Sequence, residues 1–206
     1  MLSSTSKLAA CAGVATVAVP VSAFAHHVMD GKMPVTFLQG FLSGIGHPVI
    51  GVDHLAAIVG AGLLVALAQR GVAPLLAFSA ALIAGVGLHL SGVDLPISEL
   101  LVGLSTIAIG VLVLLRQSMR PAAAAGLLAV VGLLHGYALG ESIVGAEPAP
   151  LVAYLAGLLI IQTVVAFAAY ALLARLPARA MAMTIAGIAV VLAGGITAAA
   201  ATGLVG

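Results

Sequence analysis

The sequence predicts an all-α membrane protein, a cleavable signal peptide followed by six transmembrane helices. Three observations lead there. Hydrophobic residues make up 63% of the 206-residue chain, charged residues only 6%, and mean hydropathy is +1.31. A soluble domain carries roughly 25% charged residues, so this chain cannot build a water-exposed surface and must be solvated mostly by lipid. Apolar runs long enough to cross a bilayer recur between short separators marked by Gly, Pro and charge. The 25 glycines, with abundant alanine, suit close helix–helix approach in a bilayer. A formal net charge of +1 argues against nucleic acid, which needs a basic face.

Residues 1–25 read as a secretory signal: Lys7, an apolar run from Leu8 to Val21, then Ala23-Phe24-Ala25 as an A-x-A cleavage site. The run is shorter than the ~20 residues a span needs. Cleavage after Ala25 leaves residues 26–206 as a single transmembrane domain. Cys11, the one cysteine, departs with the signal, so the mature chain offers no thiolate donor. Residues 34–46 are apolar but too short to cross. They predict a re-entrant or interfacial half-helix ending at Gly46. Pro48 is then expected in the first turn of the next helix, where its missing N–H costs nothing. Six spans follow, at 49–69, 72–92, 96–115, 122–141, 151–174 and 180–204.

Charge sets the orientation. Arg70, Arg116, Arg120, Arg175 and Arg179 fall in the first, third and fifth connections, while the second and fourth hold no Lys or Arg. Only Lys32, on the mature N-terminal tail, breaks the asymmetry. By the positive-inside rule the arginine side is cytoplasmic. An exported N-terminus demands the same, which places the protein in a bacterial inner membrane with a periplasmic N-terminus.

All six histidines and all six acidic residues then lie toward the outer face. His47, Asp53 and His54 open span one, and His89 closes span two. Asp94 and Glu99 open span three, while His135 and Glu141 close span four. Glu147 sits in an outer loop, and His26, His27 and Asp30 on the outer tail. Spans five and six carry little that is polar beyond Gln162, Thr163, Tyr170, Thr184 and Thr197, and look like scaffold.

An ionisable group within a span costs about 2.5–3.5 kcal/mol on insertion scales, so such groups tend to face a cavity and serve a function. His47 and His54 are about two turns apart and share a face if one helix runs through Pro48. Asp53, about 100° round from His54, suits either direct ligation or orientation of an imidazole. Imidazole with carboxylate and no thiolate suits Ni²⁺, Co²⁺ or Zn²⁺ better than Cu(I), Mg²⁺ or Ca²⁺. The candidate metal residues are therefore His47, Asp53, His54, His135 and Glu141. Glu99, His89, His26 and His27 are further candidates. Glu99 serves equally as a cap at a helix N-terminus, and His89 equally as an interfacial residue. An N-terminus beginning His26-His27 would make an ion-capture arm.

The segment Gly46-His47-Pro48-Val49-Ile50-Gly51-Val52-Asp53-His54 resembles the first signature of the HupE/UreJ family of nickel permeases, a His, five residues, then Asp-His. His135-Gly136-Tyr137-Ala138-Leu139-Gly140-Glu141 is similar to its second, Phe-His-Gly-x-Ala-His-Gly-x-Glu. Signal, six spans and length fit too, so the resemblance covers essentially the whole chain. Two positions depart: Leu134 stands for Phe, and Leu139 for the second histidine. The resemblance implies metal recognition by His47, Asp53, His54, His135 and Glu141. It also implies uptake of a divalent transition-metal ion, foremost Ni²⁺, as substrate, with no tightly bound cofactor. An oligomeric interface is one source for the inner half of the path. The same cluster also suits a membrane-embedded metal-dependent hydrolase, in which Glu99 or Glu141 would act as general base.

Overall fold

A computed structural model of the chain describes residues 33–68, 71–175 and 179–204. The signal segment, His26, His27, Asp30, Lys32 and Arg70 lie outside the described residues. Within them the chain is all helical. The α-helices are α1 (Phe37–Ile50), α2 (Val52–Ala68), α3 (Ala73–Leu90), α4 (Ser98–Leu114), α5 (Pro121–Gly140), α6 (Pro148–Arg175) and α7 (Arg179–Ala201), with a 3₁₀ turn at Glu141–Ile143.

The helix starts have legible causes. Thr36 caps α1 reciprocally with Gln39: Gln39 N–H donates to Thr36 Oγ1 at 3.2 Å, and Thr36 N–H donates to Gln39 Oε1 at 3.2 Å. That is the S/T-x-x-E/Q capping box. Proline lies in the first turn of α3 (Pro74) and opens α5 (Pro121) and α6 (Pro148), where no N–H is needed. Gly92, at φ +82°, closes α3 with its N–H on the His89 carbonyl at 3.0 Å.

The entry to α2 differs from the sequence expectation. The short helix does not stop at Gly46, and Pro48 does not open the following span. Instead α1 runs through Pro48 to Ile50 and breaks at Gly51, where α1 and α2 meet at 78°. Pro48 sits in the last turn of α1, where the one N–H it removes would have pointed back at Gly44. Gly51 serves both helices. Its N–H donates to the His47 carbonyl at 3.0 Å, and its own carbonyl accepts from Leu55 at 2.9 Å. His47 and His54 therefore lie on two different helices, not on two turns of one face.

Among the described residues four helices are long and apolar enough to cross a membrane: Ala73–Leu90, Pro121–Ile143, Pro148–Leu173 and Ala180–Ala201. The bent pair α1–α2 makes a fifth if it is one span, and α4, with 17 residues, is apolar but shorter. The molecule is built from three tight pairs, α1 with α6, α3 with α5, and α4 with α7. Glycine makes each pair close. A Cβ on Gly136 or Gly132 would collide with α3 backbone at Leu82 or Phe78, and one on Gly40 or Gly44 with α6 backbone at Pro150 or Tyr154. Gly103 and Gly194 face each other across α4 and α7. Helix α2 runs through the middle, with Ala57, Ile58, Ala61, Leu64 and Val65 buried around its circumference and every other α-helix in contact. A helix apolar on all sides needs such a position. Outer stripes such as Ile185, Ile188, Leu192 and Ile196 on α7 remain exposed, the surface lipid would cover.

Candidate metal centre

The centre lies where the first turn of α2 meets the last third of α5. Antiparallel packing brings these ends together. The His54 and His135 rings are edge to face, with centroids 5.0 Å apart and planes at 72°. Their Nδ1 atoms approach to 2.8 Å. Both side chains are buried, and Asp53 beside His54 is 8% exposed. The Asp53 carboxylate lies within electrostatic reach of the His135 ring.

Gly51 shapes the floor. A Cβ there would stand 2.9 Å from His54 Cδ2, 3.3 Å from Asp53 Oδ1 and 3.3 Å from the His47 carbonyl. The bare backbone at the helix break thus lets the His54 and Asp53 side chains and the His47 carbonyl crowd one point. His47 belongs to the buried face of α1, Gly40, Ser43, Gly44 and His47, which has the i, i+3, i+4, i+7 spacing of one helical stripe. Its ring meets Tyr154 of α6 edge-on at 6.4 Å. The Tyr154 hydroxyl donates to the Leu139 carbonyl at 2.8 Å and accepts from Ser142 Oγ at 3.0 Å. Span five is therefore more than scaffold: its tyrosine joins the His47 helix to the end of α5. Leu139, at the departure from the family's second signature, is itself buried at 1% exposure.

The remaining sequence candidates lie further out. Glu141 is exposed, at the start of the 3₁₀ turn, and Glu99 is exposed in the first turn of α4. His89 is half-buried at the end of α3, its ring 4.5 Å from that of Tyr137. The Tyr137 hydroxyl bonds the Val93 carbonyl and Leu95 N–H, each at 2.8 Å, and so pins the α3–α4 loop. Among the described residues no group of three or more His, Cys, Asp or Glu side chains is arranged to hold one metal ion. What the fold assembles is a pair of imidazoles with a carboxylate close by.

Two residues at this centre escaped the sequence reading. Thr106, fully buried, and Ser105, half-buried, on α4, each place a hydroxyl 3.3 Å from His135 Nε2. Their only sequence signal is adjacency: a hydroxyl pair about two turns after Glu99 in an otherwise apolar helix.

Polarity is segregated as the sequence suggested. His54, His89, His135 and Tyr137 cluster at one end of the helices. At the other end Arg116 donates to the Ala180 carbonyl at the start of α7, at 3.2 Å.

Protein HupE of Rhizobium leguminosarum bv. viciae is 30% identical over 130 residues, which is 62% of this chain and 64% of that protein. No solved structure is significantly similar. The family model described as HupE / UreJ protein matches residues 14–198, nearly the full length, and the chain belongs to that family.

Proposed function

We propose that this protein is an uptake permease for a divalent transition-metal ion, foremost Ni²⁺, in a bacterial inner membrane. In this reading α2 to α7 supply six crossings and α1 a half-helix, with the arginine end cytoplasmic. The observation that carries the proposal is the buried His54–His135 pair on separate helices beside Asp53. Imidazole nitrogens bind such ions at about 2.0–2.1 Å, so two nitrogens cis on one ion stand ~2.8–3.0 Å apart. The 2.8 Å between the Nδ1 atoms matches that separation. An ion of this class accepts further nitrogen or oxygen ligands, which the His47 imidazole, the Asp53 carboxylate or retained water would provide. A buried dication also needs an opposing charge, and Asp53 is the acidic residue nearest the pair in sequence and in space.

The test is uptake of radiolabelled Ni²⁺ into vesicles carrying the full chain, with Co²⁺ and Zn²⁺ as competitors. His54→Ala, His135→Ala and Asp53→Asn are each expected to reduce uptake at least about tenfold, the effect of losing some 1.4 kcal/mol of ion binding. Uptake unchanged in all three would end the permease reading.

A further inference from the structure

We propose that Ser105 and Thr106 are positioning residues that hold His135 in the tautomer with its proton on Nε2. That leaves the Nδ1 lone pair turned toward His54 and the ion. The inference rests on the permease reading for its functional consequence, but its geometry stands apart from it.

Each hydroxyl owns one proton and two lone pairs. Ser105 Oγ donates to the Val102 carbonyl at 2.8 Å, and Thr106 Oγ1 donates to the same carbonyl at 2.9 Å. Both protons are thereby committed within α4, in the back-bonding common for Ser and Thr in helices. Toward His135 the two oxygens can present only lone pairs. Each lies 3.3 Å from Nε2, the longer spacing of a three-centre bond in which one N–H is shared. With the hydroxyl protons so placed, Nε2 is the donor, and a neutral imidazole with Nε2–H has a bare Nδ1. This is the nitrogen 2.8 Å from His54 Nδ1. Metal-binding histidines commonly have their other nitrogen held by an oxygen acceptor, which fixes ring and tautomer. Here that acceptor is a hydroxyl pair on a third helix, Thr106 buried and Ser105 half-buried, so α4 joins α2 and α5 in building the centre.

Three measurements on the detergent-solubilised full chain test it. In nitrogen-15 spectra of histidine-labelled protein without metal, the signal lost in His135→Gln should be that of an Nε2–H imidazole. An Nδ1–H signal overturns the proposal, and this reading needs no variant of the hydroxyl pair. In Ni²⁺ titrations, the double variant Ser105→Ala/Thr106→Val should bind about 10–100-fold more weakly, the usual loss when an outer hydrogen-bond partner is removed. Thr106→Ser, which keeps the hydroxyl, should bind as the unmodified chain does. Thermal unfolding without metal should move little in Thr106→Val, which preserves shape. Unchanged Ni²⁺ binding in the double variant, or loss in Thr106→Ser equal to that in Thr106→Val, overturns the proposal. Should the unmodified chain bind no Ni²⁺, the permease reading fails, while the spectrum still decides the tautomer.

Discussion

A methyl group at position 51 would stand 2.9 Å from His54 Cδ2, closer than ordinary contact allows. Gly51 has φ −69° and ψ 101°, a conformation open to any residue, so its identity matters for space and not for backbone freedom. Gly51→Ala should therefore fold, with an unfolding temperature within a few degrees of the unmodified chain, and fail locally by displacing the His54 ring. Ni²⁺ binding is expected to weaken about tenfold, equivalent to some 1.4 kcal/mol. Calorimetric titration beside a thermal melt separates the two effects, and an unaltered affinity would show that the His54 ring can yield without cost. The sequence exposed His47, Asp53, His54 and His135 because ionisable groups in apolar helices stand out. It could not expose Ser105 and Thr106, since hydroxyls in such helices usually satisfy themselves on their own backbone. Only tertiary packing shows what else they touch.

At the level of helices, position along an axis was legible and rotation about it was not. Helices α2 to α7 fall near the segments that hydropathy marked, because hydropathy tells where lipid begins and ends, although by length and composition only four of them qualify alone as crossings. Gly60, Gly62, Gly85 and Gly194 pack closely against neighbouring helices, whereas Gly87 and Gly195 face open space. When every face of a helix is apolar, periodicity cannot say which one meets lipid. The break at Gly51 was obscured for a similar reason: both Pro48 and Gly51 interrupt helices, and Pro48 was expected to begin one. The glycine contrast gives a paired prediction. Gly136→Val drives a branched side chain against the Leu82 carbonyl on α3, with backbone on both sides and nothing flexible to move. Overpacking costs about 1–3 kcal/mol even between side chains, so unfolding should occur at markedly lower temperature and Ni²⁺ binding by the adjacent His135 should be lost. Gly87→Ala meets no atom within 4 Å and improves helix propensity by up to about 1 kcal/mol. Its melt should be unchanged or higher. Equal destabilisation by the two would mean that α3 and α5 are not paired through glycine.

At the scale of the whole molecule, the described imidazoles gather at one end of the helices and Arg116 lies at the other. That distribution bears on the driving force. The sequence holds no G-x-x-x-x-G-K-[ST] phosphate loop, and its imidazole–carboxylate centre lies toward the end expected to face outward. Below the centre the described residues include few buried polar groups. Gln162, fully buried on α6, donates to the Ser79 carbonyl at 3.4 Å, and its Oε1 has no partner among the described residues. On the permease reading, an ion released inward from His54 and His135 would move its charge across most of the membrane field in later steps. A dication gains about 4.6 kcal/mol per 100 mV of inside-negative potential, enough for accumulation on the order of a thousandfold at equilibrium. Vesicles given a potassium diffusion potential, negative inside, should accumulate radiolabelled Ni²⁺ faster as the imposed potential grows. Collapsing the potential should reduce entry to simple equilibration. Uptake that ignores the potential and follows an imposed proton gradient would mean that the centre exchanges its ion for protons, and that the field acts on no net charge.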